Sequence, residues 1–151
     1  MVAAGYSGTP LARKLGLKEG QAVAFIGLPD SLAHLQDAAG FRRIELAADW
    51  RALPEGARDV IHLFTKSAAE VAEALPVLRD LIEPDGMIWV SWPKKASKVA
   101  TDVTEDTIRN RALADVLVDV KVCAVDDIWS GLKLVVRKEL RTAHVNARSK
   151  L

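Results

Sequence analysis

The densest chemistry in the chain lies in residues 93–104, where Lys94, Lys95, Ser97, Lys98, Thr101 and Thr104 stand just ahead of a predicted helix. Ammonium groups, hydroxyls and the free N–H groups of a helix start are a donor set suited to phosphate or carboxylate. The segment is therefore a candidate anion or nucleotide site. Its bland counterpart is a solvated basic loop in which Thr104 is an ordinary helix cap. Tyr6, Ser7 and Thr9 add hydroxyls if the N-terminal segment folds over the same edge. The simpler reading makes Thr9 the cap of a short helix opening at Pro10.

Other chemistry is sparse. His34, His62 and His144 are scattered, and none has metal-ligand spacing to another histidine, cysteine or carboxylate. His62 reads as a hydrogen-bonded core residue. No nucleophile elbow, phosphate-binding loop or His-Glu-x-x-His pattern is found. Asp126-Asp127 reads as an exposed pair in a hairpin turn. Cys123 is the single cysteine, so no internal disulfide forms, and its alternating apolar surroundings predict burial. Of the four tryptophans, Trp89 and Trp92 lie three apart on a predicted strand and must face opposite ways. Trp129 falls in a predicted turn, where it plugs the core, touches a ligand or meets a partner chain.

The net charge of +1 excludes a polyanion binder built on overall charge. Residues 133–151 nevertheless carry six basic groups and one acidic group. That tail shows charge without a reading element, so nucleic-acid binding is not expected. No run approaches the ~18 apolar residues of a membrane span. Residues 1–10 lack the basic start and apolar centre of a signal peptide. A cytoplasmic protein is expected, with no membrane partner.

These residues must be positioned by a short chain of elements. The run Val23-Ala24-Phe25-Ile26 predicts a strand buried on both faces. After Leu28-Pro29-Asp30, a helix capped by Asp30 or Ser31 is expected to reach Ala39. Residues 41–46 and 59–64 are the next strands. Ser67 caps a helix carrying Val71, Leu75, Leu78 and Ile82 on one face, with Pro76 expected to kink or split it. Pro84-Asp85-Gly86 predicts a turn before a strand at 87–92. A helix capped at Thr101, Asp102 or Thr104 runs to about Asp115. Strands at 117–125 and 131–138 follow, joined by about five residues, which predicts an antiparallel hairpin. The expectation is one α/β domain over 1–139, with a flexible basic tail at 140–151. Ligands on such sheets bind beyond the carboxyl ends of the parallel strands. Here that edge holds residues 28–31, 65–67 and 93–104.

The order resembles the class I S-adenosylmethionine-dependent methyltransferase layout, a three-layer Rossmann-like fold with a mostly parallel sheet ending in an antiparallel hairpin. Leu81-Ile82-Glu83-Pro84-Asp85-Gly86-Met87-Ile88-Trp89-Val90 and residues 121–138 carry that resemblance. In that family a glycine-rich turn follows the first strand and approaches the cofactor. Here it is Gly27-Leu28-Pro29-Asp30-Ser31, and Leu28 and Pro29 disfavour S-adenosylmethionine (SAM). The resemblance also puts Glu45 near a ribose-binding position, against its plain reading as a solvated residue. The stretch between the second and third strands is too short for another helix and strand, so a truncated relative is implied. Gly5-Tyr6-Ser7-Gly8-Thr9-Pro10-Leu11, Trp92-Pro93-Lys94-Lys95-Ala96-Ser97, residues 119–126 and Trp129-Ser130-Gly131-Leu132-Lys133 are also similar to an uncharacterised family of small bacterial proteins.

Three functions follow as expectations. The first is a non-catalytic module binding a small anionic or nucleotide-like ligand, with no cofactor. The second is an interaction or homodimerisation module using Trp129, the hairpin edge and the tail. The third is a divergent SAM-dependent methyltransferase.

Overall fold

The computed structural model describes residues 10–141. Six strands form one sheet in the order β2-β1-β3-β4-β6-β5. β1 (Ala22–Ile26), β2 (Arg43–Ala47), β3 (Arg58–Phe64) and β4 (Ile82–Pro93) are parallel. β5 (Leu117–Ala124) and β6 (Trp129–Val136) form a hairpin, and β6 pairs antiparallel with β4. The α/β, Rossmann-like layout expected from the sequence is the one observed.

The apolar runs account for this placement. Every residue of β1 is buried, which requires strands on both edges and cover on both faces. Ala24 and Ile26 point into one core cluster, and Val23 and Phe25 into the other. The first cluster is covered by α2 (Ala68–Leu78) and α3 (Glu105–Leu113), through Val71, Leu75, Leu78, Ile108 and Ala112. The second is covered by the single turn α1 (Leu11–Lys14) and a 3₁₀ segment at Asp30–Asp37, through Leu15, Leu17, Leu32 and Leu35. These are the three layers. Trp89 and Trp92 divide between the clusters as their spacing requires. Trp89 Nε1 donates to the Leu15 carbonyl at 2.9 Å, tying the α1 turn to the sheet.

Several local expectations are corrected. The helix expected up to Ala39 is the 3₁₀ segment, and no side chain caps it. α2 runs on through Pro76 to Leu78, then passes into a 3₁₀ turn at Arg79–Leu81. Its buried face holds it to the sheet on both sides of the proline. Pro84-Asp85-Gly86 lies inside β4 as an irregularity, across which the register with β3 jumps from Arg58↔Ile82 to Val60↔Met87. A Cβ on Gly86 would lie 3.0–3.1 Å from three backbone carbonyls, so any larger residue would press that backbone apart. Trp129 opens β6 and is buried at 8% exposure, its ring edge-on to Phe64 at 5.3 Å. Of its three readings, the one met within this chain is the core plug. Tyr6, Ser7, Thr9 and most of the expected tail lie outside the described residues; Leu140 packs on the core. Among the described residues no helix is long and apolar enough to cross a membrane.

His62 on β3 is 1% exposed, and its ring stacks on Phe64 at 4.1 Å. Its Nε2 lies 2.6 Å from Ser91 Oγ. Gly131 makes room for this pair, since a Cβ there would meet Ser91 Oγ at 2.8 Å. Burial drives the imidazole down to about 3. The folded value is below the unfolded one, ~6.5, so the unfolded chain gains the proton first. The neutral ring's stabilisation is complete above that value and is lost as pH falls toward the folded one. Urea denaturation from pH 7.5 to 5 is expected to show stability dropping below pH ~6.5, with a limiting slope of ~1.4 kcal/mol per unit. His62→Gln is expected to remove that slope, and a slope unchanged in the variant would assign the acid sensitivity elsewhere.

Candidate functional site

The chain leaves β1 toward the α1 face and leaves β3 toward the α2 face. The strand order therefore reverses between β1 and β3, and the turns after them border the usual ligand crevice of an open α/β sheet. Gly27 begins the first turn with φ +70°, and a Cβ there would lie 3.0 Å from the Phe64 carbonyl. Both facts require glycine. Leu28 packs down on the second core cluster, and Pro29 follows in extended geometry.

A cleft of about 430 Å³ opens beside this turn, at the carboxyl ends of β1 and β2. Phe25, Leu28, Pro29, Ala33 and Leu46 supply its apolar lining. Asp30 and Gln36, both on the 3₁₀ segment, supply its polar groups. Neither side chain has a hydrogen-bond or ion-pair partner among the described residues. The volume suits a small molecule, and apolar walls with a few polar groups are the usual character of such sites. Sequence reasoning marked the turn at 28–31 but missed Ala33, Gln36 and Leu46. The available signal was the missing element after β2, which leaves Leu46 on an edge strand at 55% exposure.

Glu45 is neither solvated nor free for a sugar. Arg58, fully buried, donates Nε to Glu45 Oε1 at 2.7 Å and Nη2 to Oε2 at 2.9 Å. The remaining guanidinium donors reach the Pro54 and Gly56 carbonyls. Hydrogen bonding from Arg58 holds the Glu45 carboxyl below the usual range, against the opposing effect of burial. The pair straps edge strand β2 to β3 across β1, and so holds one wall of the cleft.

The residues predicted between 93 and 104 lie elsewhere on the carboxyl edge, and their hydroxyls are engaged. Ser97 Oγ donates to the Lys94 carbonyl and accepts from Val99 N–H. Thr101 Oγ1 donates to the Lys66 carbonyl at 2.8 Å and accepts from Val103 N–H. Thr104 and Thr107 form a reciprocal capping box at the start of α3. Asp102 Oδ1 accepts the Ala68 N–H at 2.7 Å, so the chain places its own carboxylate at the start of α2. The segment thus covers the turn after β3. Lys94 is half-buried, while Lys95 and Lys98 are exposed, the latter with φ 62°. Among the described residues no cluster of histidine, cysteine or carboxylate groups could hold a metal.

No family model and no curated protein matches the sequence. Solved structures do match. A SAM-dependent methyltransferase from Aquifex aeolicus aligns with TM-score 0.63 at 13% identity, over 83% of this chain and 88% of that one. The B. subtilis m1A22 tRNA methyltransferase TrmK aligns with TM-score 0.56 at 14% identity, over 88% of this chain and 65% of its own. Magnesium protoporphyrin IX methyltransferase from Synechocystis PCC 6803, with bound SAM, aligns with TM-score 0.56 at 15% identity, over 83% and 74%. Likeness at these identities establishes the fold alone, which is methyltransferase-like.

Removing one member of a buried ion pair leaves an uncompensated charge, at a cost of about 3–5 kcal/mol. Glu45→Ala is expected to lower stability by that order. In hydrogen exchange β2 should lose protection before β1 and β3. Equal loss across the three strands would show that the pair supports the sheet generally and not its β2 edge.

Proposed function

We propose that this chain is a small-molecule-binding module whose ligand is nucleoside-like and seats in the cleft between the β1 turn and the end of β2. The cleft carries this reading: about 430 Å³, apolar walls, and Asp30 and Gln36 on one segment, neither with a partner among the described residues. A flat base suits the apolar walls, and sugar hydroxyls suit a carboxylate and an amide. A carboxylate in the lining disfavours a phosphate there, so the ligand is neutral or cationic at the group it presents.

One solved neighbour binds SAM. The nucleoside portion of SAM suits this cleft. Its amino-acid portion would have to extend past Gly27 toward the turn after β3. That route is bordered by Leu28 and Pro29 and covered by Thr101 and Asp102. The residues present do not fit the whole cofactor, and the proposed function is binding without methyl transfer.

Thermal unfolding against adenosine, SAM, its demethylated product and inorganic phosphate tests the reading. A ligand at a hundred times its dissociation constant contributes about 2.7 kcal/mol, roughly 5–10 °C at this chain length. Adenosine is expected to give such a shift and phosphate none, and Ala33→Trp, at an exposed wall position, should abolish it. No shift from any nucleoside would overturn the proposal. A response to SAM and its product without one to adenosine would replace it with the methyltransferase reading.

A further inference from the structure

We propose that Lys14, Lys18, Lys121 and Lys133, on the α1 side of the terminal hairpin, form a second site that takes a multivalent phosphate group. Lys121 on β5 and Lys133 on β6 stand directly opposite each other in the antiparallel register. Such residues have Cβ atoms about 5 Å apart, and both side chains leave the same face. Like charges placed this way oppose strand pairing.

The other charged residue of the two strands is neutralised. Asp119, two residues from Lys121, is paired to Arg109 at 3.0 Å. Every ion pair found among the described residues uses arginine, and the four lysines share in none.

The other two lysines come from the α1 turn and the residues just after it. On the opposite side from Lys121, the register neighbour of Lys133 is Trp89. Trp89 Nε1 is fixed to the Leu15 carbonyl, and Leu15 and Leu17 share a core cluster with Cys123 of β5 and Trp129 of β6, which sets the 14–18 segment beside the hairpin. Burial, then the charges of Lys121 and Lys18, push the Lys133 ammonium below its ordinary range. Burial raises the Cys123 thiol against the opposite pull of Lys14 and Lys121. Four cations thus converge on one patch. Lys18 and Lys121 are exposed, Lys14 and Lys133 half-buried.

A multivalent anion removes this repulsion by bridging the ammonium groups, and an oligophosphate offers several charged oxygens at that spacing. The patch is on the hairpin side of the sheet, away from the β1–β2 cleft, and does not depend on the reading of that cleft.

Calorimetric titration with tripolyphosphate, in buffers of matched ionic strength, tests the site. The intact chain is expected to bind it and to unfold several degrees higher than in matched chloride. Lys121→Glu should unfold at higher temperature than the parent without ligand, because the cross-strand pair becomes complementary. The same variant should bind tripolyphosphate at least tenfold more weakly. Lys94→Ala with Lys95→Ala should leave the affinity unchanged. A ten-nucleotide strand separates two sources of the same chemistry: tighter binding of the strand points to a nucleic-acid backbone, tighter tripolyphosphate to a free oligophosphate. No binding of either beyond matched chloride would overturn the proposal. So would affinity that survives Lys121→Glu or disappears with the Lys94 and Lys95 pair.

Discussion

A fully buried guanidinium, Arg58, is the constraint on which the open side of this molecule depends. Burying a charge costs several kcal/mol unless it is paired and hydrogen-bonded. Here Glu45 and the Pro54 and Gly56 carbonyls meet that need together. Two alanines of β1 on the same face, Ala22 and Ala24, leave the side chain space to pass from β3 to β2. Since β1 is the only strand paired with β2 among the described residues, and β2 exposes Ile44 and Leu46, its own packing secures it weakly. The ion pair and the β1 ladder supply the hold.

That arrangement determines where a ligand can sit. In the common doubly wound order a further strand lies outside β2. Here β2 and β3 are separated by one 3₁₀ turn, Trp50–Ala52, and among the described residues no strand pairs on the outer side of β2. The cleft opens on that side, against Leu46, Ala47 and Ala48. At the reversal of strand order, the chain instead lays Thr101 and Asp102 over the turn after β3. A methyltransferase-like scaffold can thus keep a nucleoside-sized recess while its neighbouring crevice is covered by its own backbone and carboxylate.

The parts of the fold legible in sequence were those set by local pattern. The continuous apolar runs of β1 and β3, the five-residue limit on the hairpin connection, the opposed faces of Trp89 and Trp92, and the missing element after β2 all follow from periodicity and length. The illegible parts depend on distant partners. Pro84-Asp85-Gly86 reads as a turn, yet β4 continues through it, pairing with distant β3 at Ile82 and again from Met87. Glu45 reads as solvated until Arg58 arrives from 13 residues away. Thr101 reads as a ligand donor until the Lys66 carbonyl arrives from 35 residues away. The turn at 28–31 was legible as an edge loop, but its union with Gln36 and Leu46 requires the three-dimensional edge. The cross-strand clash of Lys121 and Lys133 was hidden by an irregularity in β5, which shifts the register between Asp119 and Lys121.

The proposed ligand enters at the outer side of β2 and not at the reversal of strand order. Amide chemical-shift mapping with adenosine on the intact chain tests it most directly. The largest changes are expected on Gly27, Leu28, Asp30, Ala33, Gln36 and Leu46–Ala48, with Lys66–Ala68 and Thr101–Asp102 silent. Changes centred on Lys66–Ala68 and Thr101–Asp102, with the β2 edge silent, would contradict it.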